Sequence, residues 1–269
     1  MVAAGPRSRP RCHSVPMIDP IWHDVFVGLG VIAAVLVFWA EAVRRGRGSD
    51  QRVWIVVLGA VLGGAIMMRL GTWMQHLDLS ENASLVEQWL YGNRSILSGL
   101  VGAYFGAHIA KRIIGYRQRT GDLFAPAVAI GMAIGRVGCQ LTELPGTPTD
   151  LPWGIALTGD QAARVGAEAG AALHPSFGYE IVFHLVAFGV LWWWLRFQPI
   201  AAGETLTLYL AAYAVFRFLV EFVRGNETVF ADLTRPQLFL LALLPLLLAR
   251  IVLQAGRGSY SLRPQQVPR

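Results

Sequence analysis

The run Ile134-Gly135-Arg136-Val137-Gly138-Cys139-Gln140-Leu141-Thr142-Glu143 puts an arginine just inside the end of an apolar stretch and a glutamate where that stretch meets water. An ionisable side chain at membrane depth is costly unless it is paired or lines a wet cavity, so its presence argues for a site. Arg217 and Glu221 repeat the arrangement in another apolar stretch. Tyr213, Arg217, Glu221 and Arg224 fall at i, i+4, i+8 and i+11, one helix face about 16 Å long. Arg217 and Glu221 can pair along that face, and by itself such a pair reads equally as a neutral lock on helix packing. Arg136 in the same bundle changes that balance. Guanidiniums held close together need an anion, and the anion at hand in a membrane is a phospholipid phosphate, which arginine grips bidentately.

The rest of the composition agrees with a membrane setting. The 269 residues are 54% hydrophobic and 15% charged, well below the quarter or so of charged residues usual in soluble domains. Mean hydropathy is +0.47. A formal charge of +6 could suggest a nucleic-acid partner, but in a membrane protein loop arginines that set orientation account for it, so no nucleic acid is expected. Cys12 and Cys139 are the two cysteines, one in an N-terminal arm and one in an apolar stretch, which is not a disulfide framework.

Seven segments are long enough to cross a hydrocarbon core of about 30 Å: roughly 24–43, 53–76, 95–114, 121–142, 178–197, 204–223 and 236–254. The expected fold is therefore an all-α integral membrane protein of about seven transmembrane helices. Glycines at three- and four-residue spacing in the third and fourth segments (Gly99, Gly102, Gly106; Gly131, Gly135, Gly138) read as close helix packing or as room for a lipid head group.

Lysines and arginines orient the bundle. Arg44, Arg45, Arg47 and Arg52, Lys111, Arg112, Arg117 and Arg119, Arg196, and the tail residues Arg250, Arg257, Arg263 and Arg269 mark one side as cytoplasmic. Arg94, Arg164, Arg224 and Arg235 lie opposite, among many acids. The N-terminus is then outside and the C-terminus cytoplasmic. Residues 1–16, rich in Pro and Arg, read as a disordered arm or as lying upstream of a true start at Met17, since Arg7, Arg9 and Arg11 would otherwise fall on the wrong side. Residues 17–255 form the membrane domain, 143–177 its longest outer loop, and 256–269 a cytoplasmic tail.

On this topology the unusual polar residues gather at the outer side: Arg69, Ser95, Ser98, Arg136, Glu143, His174, Tyr179, Glu180, and the Tyr213-to-Arg224 face. The cytoplasmic halves of the same helices hold almost nothing ionisable beyond connector residues. A site facing the outer leaflet follows. Loops as long as 143–177 are usually functional or disordered. Within it Trp153 suits a lid or an interfacial anchor, and 158–172 reads as a spacer or a short surface helix. His76, His108, His174 and His184 do not group, so no metal set is expected, and no Walker loop, dinucleotide fingerprint or Cys-x-x-Cys points to a cofactor.

Taken together, Gly135-Arg136-Val137-Gly138, Leu151-Pro152-Trp153-Gly154, His174-Pro175-Ser176-Phe177-Gly178-Tyr179-Glu180 and the stretch from Tyr213 to Arg224 resemble the prolipoprotein diacylglyceryl transferase family, over roughly residues 60–225. The resemblance implies seven transmembrane helices in the bacterial cytoplasmic membrane. It also implies transfer of the diacylglyceryl group of phosphatidylglycerol to the lipobox cysteine in a prolipoprotein signal peptide. By it, Arg136 binds the lipid head group, Arg217 is the essential arginine with Tyr213 and Glu221 as helix-face partners, His174 and Glu180 match a family motif, and Gly154 matches the loop glycine. Arg69 is a further candidate for phospholipid binding, and Glu143 and His174 are candidates for the base. Cys139 reads as an acceptor or as a small buried residue.

The chain departs from the family pattern in several places. Cys139 and Thr142 stand where the family commonly has asparagines, and the motif is one residue short before Glu143. Leu97-Ser98-Gly99 replaces a His- or Tyr-Gly-Gly motif, and Trp22-His23 replaces a Trp-Tyr pair. Two other functions stay open at this point: a phospholipid transferase with a different acceptor, and a non-catalytic phospholipid-binding membrane protein.

Overall fold

The computed structural model describes residues 21–74, 84, 86, 87, 89, 95–165, 167–197 and 203–260. The expectations for the N-terminal arm, His76, Arg94 and the end of the tail lie outside these residues. The helices are α1 (Ile21–Arg44), α2 (Gln51–Met74), α3 (Ile96–Ile113), α4 (Gly121–Thr142), α5 (Gly159–Val165), α6 (Ser176–Phe197), α7 (Thr205–Val220) and α8 (Arg235–Gly256). A 3-10 turn, Glu221–Val223, continues α7. Two short antiparallel pairs complete the described elements: β1 (Ile155–Ala156) with β2 (Ala172–Leu173), and β3 (Thr228–Phe230) with β4 (Leu233–Thr234).

The protein is a multi-pass, predominantly helical membrane protein. Among the described residues six helices are long and apolar enough to span a bilayer. The segment expected at 95–114 does form a helix, α3, but is not one of the six. His108, Lys111 and Arg112 occupy its last turns, and the apolar run before them is short.

The helices pack in pairs, α2 along α3 and α1 along α4, with α4 also against α6 and α7. Glycine decides the first two contacts. A Cβ on Gly59 would lie 2.7 Å from the Gly106 carbonyl oxygen, and one on Gly30 would lie 2.7 Å from that of Gly131. Most of the predicted glycine stripes thus serve close packing. At Gly135, beside Arg136, a Cβ would meet nothing within 4 Å. The outer surfaces of α1, α2, α6 and α8 expose large aliphatic and aromatic side chains such as Leu36, Leu62, Val186 and Leu246, as expected of helices facing lipid.

The 143–177 loop is ordered around its own small core of Leu157, Ala162 and Leu173. Of the two readings for 158–172, the short helix is correct. The loop is stitched to the turn after α7, where the Thr147 N–H donates to the Val223 carbonyl at 2.9 Å, and to the start of α6, where Ser176 Oγ donates to the Pro145 carbonyl.

Polar burial is not confined to one end, which corrects the one-sided distribution read from the sequence. Glu41 pairs with Arg44 at 2.6 Å and Arg196 at 2.8 Å. Asp122 meets Arg45 at 3.4 Å and accepts from Thr205 Oγ1 at 2.7 Å. Glu204 takes Arg119 at 2.8 Å and Arg250 at 3.2 Å. Connector arginines fold back over these acids, so helix ends that read as merely flanked by charge are in fact tied by it. The two ends still differ: Arg44, Arg119 and Arg250 keep 37–50% of their side chains exposed, as surface charges do.

Candidate active site

At the other end of α4, α6 and α7 the arginines are enclosed. Arg136 and Arg217 retain 7% and 6% side-chain exposure, and Arg224 12%. All three converge on Glu180, whose carboxylate is fully buried in the first turns of α6. Arg136 Nη2 lies 2.7 Å from Glu180 Oε2, Arg224 Nη1 2.8 Å from Oε1, and Arg217 Nε 3.8 Å from Oε1. The Tyr213 hydroxyl donates to Glu180 at 3.0 Å and accepts from Arg136 Nη2 at 3.2 Å.

A second buried carboxylate, Glu221, closes the group. Arg217 Nη1 donates to it, as the i, i+4 spacing predicted. Asn226 Nδ2 donates at 2.6 Å and Thr234 Oγ1 at 2.9 Å. Thr234 is also the N-cap of α8, within a capping box completed by Gln237. One hydroxyl therefore starts a helix and fixes a site carboxylate. Neither Asn226 nor Thr234 was singled out in the sequence, because capping residues there look like ordinary loop chemistry.

Beneath the carboxylates the wall is aromatic. Phe183, His184, Tyr209 and Tyr213 are in ring contact, and His184 Nδ1 lies 2.9 Å from the Tyr209 hydroxyl. Phe177 lies under the Arg224 guanidinium, 4.2 Å from centroid to Cζ, a cation–π contact.

Three guanidiniums face two buried carboxylates in a poorly solvated setting, and the half-exposed Glu143, 4.0 Å from Arg224, balances the third from the margin. Burial, followed by the like charge of Arg217, pulls Arg224 down from the ordinary arginine value, while Glu180 opposes the shift. Arg136 also keeps donors in reserve. Among the described residues its Nε has no hydrogen-bond partner, and its Nη1 meets the Cys139 sulfur at 3.8 Å. In the sequence the anion needed by these arginines was assigned to a lipid phosphate; in this arrangement Glu180 already supplies much of it. What remains fits one further anionic group.

The other candidates occupy the margins. Glu143 caps the end of α4, 46% exposed, 4.0 Å from Arg224 Nη2 and 3.9 Å from His23 Nε2. His174 hydrogen-bonds the Tyr179 hydroxyl at 3.1 Å, and that hydroxyl also accepts from Trp153 Nε1 at 2.9 Å. His174 is thereby tied to Tyr179 on α6 rather than to Glu180. Gly154 sits in the turn before β1, where a Cβ would come within 2.9 Å of Ala172 and Thr149. Ser98 is buried between α2 and α3, bonded to Ser95 Oγ at 3.1 Å. Arg69 donates to the Trp89 carbonyl. Cys139 is buried beside Arg136. Although no metal set was evident in the sequence, the fold brings ligand atoms of His23, Cys139 and Glu143 within 4.8 Å of one another.

A family model described as prolipoprotein diacylglyceryl transferase matches residues 10–254. The chain belongs to that family. Named relatives agree. The phosphatidylglycerol–prolipoprotein diacylglyceryl transferase of Chromohalobacter salexigens is 32% identical over 79% of this chain and 81% of its own length. That of Leifsonia xyli is 34% identical over 84% of this chain and 71% of its own length. That of Finegoldia magna is 28% identical over 88% and 91%. The prolipoprotein diacylglyceryl transferase family is one of transferases, and the arginine–glutamate group described above lies within the matched region.

Proposed function

We propose that the protein transfers the diacylglyceryl group of phosphatidylglycerol to the lipobox cysteine of prolipoproteins, at the outer face of the bacterial cytoplasmic membrane, with its N-terminus outside and its C-terminus cytoplasmic. The observation that carries the proposal is the convergence of Arg136, Arg217 and Arg224 on one buried carboxylate, Glu180, which sets three guanidiniums side by side. Family membership supports the same reaction.

The acceptor thiolate attacks the glycerol carbon that bears the phosphate. A C–S bond forms, the C–O bond breaks, and glycerol phosphate leaves with the electron pair. Thiolate is the reacting form, so the thiol proton must pass to a base. Glu143 is the stronger candidate, being half exposed beside Arg224, whereas His174 is held by the Tyr179 hydroxyl. Negative charge that grows on the leaving phosphate is stabilised by guanidiniums already oriented in a dry site. Arg136 offers its unused Nε and Nη1, and Arg224 its partly exposed head. Glu180, Glu221 and Tyr213 act as positioning residues that hold the arginine forks.

The deciding experiment supplies the gene to a cell depleted of its own diacylglyceryl transferase, and supplies purified protein with phosphatidylglycerol and a lipobox peptide. Rescue together with a thioether-modified peptide is the expected result. Co-purified phosphatidylglycerol that is not consumed would instead establish the non-catalytic lipid-binding reading, and consumption without peptide modification would point to a different acceptor.

A further inference from the structure

Gly138 lets the start of α1 lie directly on the end of α4. A Cβ at that position would be 3.1 Å from the Cα and carbonyl oxygen of His23 and from Phe26 Cβ. This contact sets His23 beside Cys139 and Glu143, which stand at i and i+4 on the last turn and cap of α4 and so share a face. Imidazole nitrogen, thiol sulfur and carboxylate oxygen all fall within 4.8 Å of one another. Ligands around a tetrahedral zinc ion, each at about 2.0–2.3 Å from the metal, are about 3.3–3.8 Å apart, so side-chain movements of about 1 Å close the set.

We propose that His23, Cys139 and Glu143 form a binding site for a zinc-class divalent cation, with the fourth position open to water or another donor. Borderline-soft N, S and O donors together suit such an ion and suit magnesium or calcium poorly. Thiolate and carboxylate together neutralise a dication, so loading takes the site from the single negative charge of Glu143 to zero.

One carboxylate and two guanidiniums border the cluster. Asp24 Oδ1 lies 3.6 Å from His23 Nδ1, placed to hold the ring with Nε2 towards Glu143. Arg136 Nη1 faces the Cys139 sulfur at 3.8 Å, and Arg224 Nη2 faces Glu143 Oε2 at 4.0 Å. Outer partners of this kind orient metal ligands and tune their donor strength. Binding is balanced by release of the Cys139 thiol proton to solvent. A bound ion would occupy the carboxylate of Glu143, the candidate base, so the loaded site and the transfer reaction exclude each other and the test reads metal binding alone.

Cobalt(II) titration of the purified full-length protein in detergent tests it. The expected result is a one-to-one complex with a thiolate-to-cobalt charge-transfer band that zinc displaces. Affinity should rise by about tenfold per pH unit, because one proton leaves. Cys139→Ser should abolish the band and Cys12→Ser should leave it. His23→Gln and Glu143→Gln, which change partly exposed side chains, should each weaken binding by more than the roughly hundredfold that loss of an outer partner can cost. Absence of the band in the unaltered protein overturns the proposal. So does a band that persists in Cys139→Ser, or an affinity that neither His23→Gln nor Glu143→Gln reduces.

Discussion

Arg136 Nη2 on α4 and Glu180 Oε2 on α6 face each other at 2.7 Å, at a depth where neither side chain has appreciable contact with water. A buried pair of this sort contributes little net stability compared with apolar packing, yet removing one partner is expensive, since the other charge is left unpaired. Here the imbalance is greater, because Glu180 also serves Arg224 and lies near Arg217.

Glu180→Gln should therefore be the most damaging single change in the bundle, costing about 3–5 kcal/mol of stability. Arg224→Gln placed in the same chain should restore part of the loss, because one surplus guanidinium is then gone. Thermal unfolding of the two single variants and the double variant in detergent measures the coupling, and strict additivity would contradict the shared-carboxylate geometry.

Arg217→Ala should abolish rescue of the depleted cell and slow peptide modification by about a hundredfold or more, because Glu180 and Glu221 lose the fork between them and the neighbouring guanidiniums lose their placement. Arg217→Lys keeps the charge but loses the planar fork that spans Glu180 and Glu221, so it should recover only a small part of the activity. Rates with a lipobox peptide, beside a bound-lipid assay, separate lost chemistry from lost binding.

Glu143→Gln and His174→Gln distinguish the two candidate bases. If Glu143 takes the thiol proton, its amide should bind phosphatidylglycerol normally and fail in turnover, by about 100- to 10,000-fold. His174→Gln should have the milder effect, since that ring is bonded to Tyr179 on α6. Equal loss in both variants would remove the distinction.

Thr234→Val removes the α8 N-cap and one of the donors to Glu221 together, and should cost about 1–2 kcal/mol. Thr234→Ser retains the hydroxyl and should behave like the unaltered protein. Unfolding temperatures of the two variants are the check.

Ala231 and Asp232, in the β3–β4 turn, both have positive φ (48° and 56°), where a Cβ is crowded. Ala231→Gly should stabilise the protein by up to about 1 kcal/mol. A lower unfolding temperature for this variant would mean that the alanine side chain packs usefully enough to offset its strain.

Much of the bundle could be read directly. Segments predicted at 121–142 and 178–197 appear as Gly121–Thr142 and Ser176–Phe197, because a long apolar run in a membrane has one way to satisfy its backbone. The Arg217–Glu221 pair was equally legible, being set by helical spacing within one element. Contacts between distant elements were not. Nothing local to Glu180 announces that arginines from α4, from α7 and from the turn after it will meet on it. Nor does the segment after α7 reveal that Thr234 will both cap α8 and hold Glu221.

The amino-acid order by itself determined the helical spans, the residue types available for anion chemistry and the motifs of the transferase family, because periodicity, burial preference and charge are properties of short segments. The tertiary structure alone decided which charges share a carboxylate. It also decided that the opposite end carries buried acids of its own, and that His23 reaches Cys139 across a glycine contact. Those outcomes depend on how closely two backbones approach, and that distance is set by packing between helices far apart in the chain.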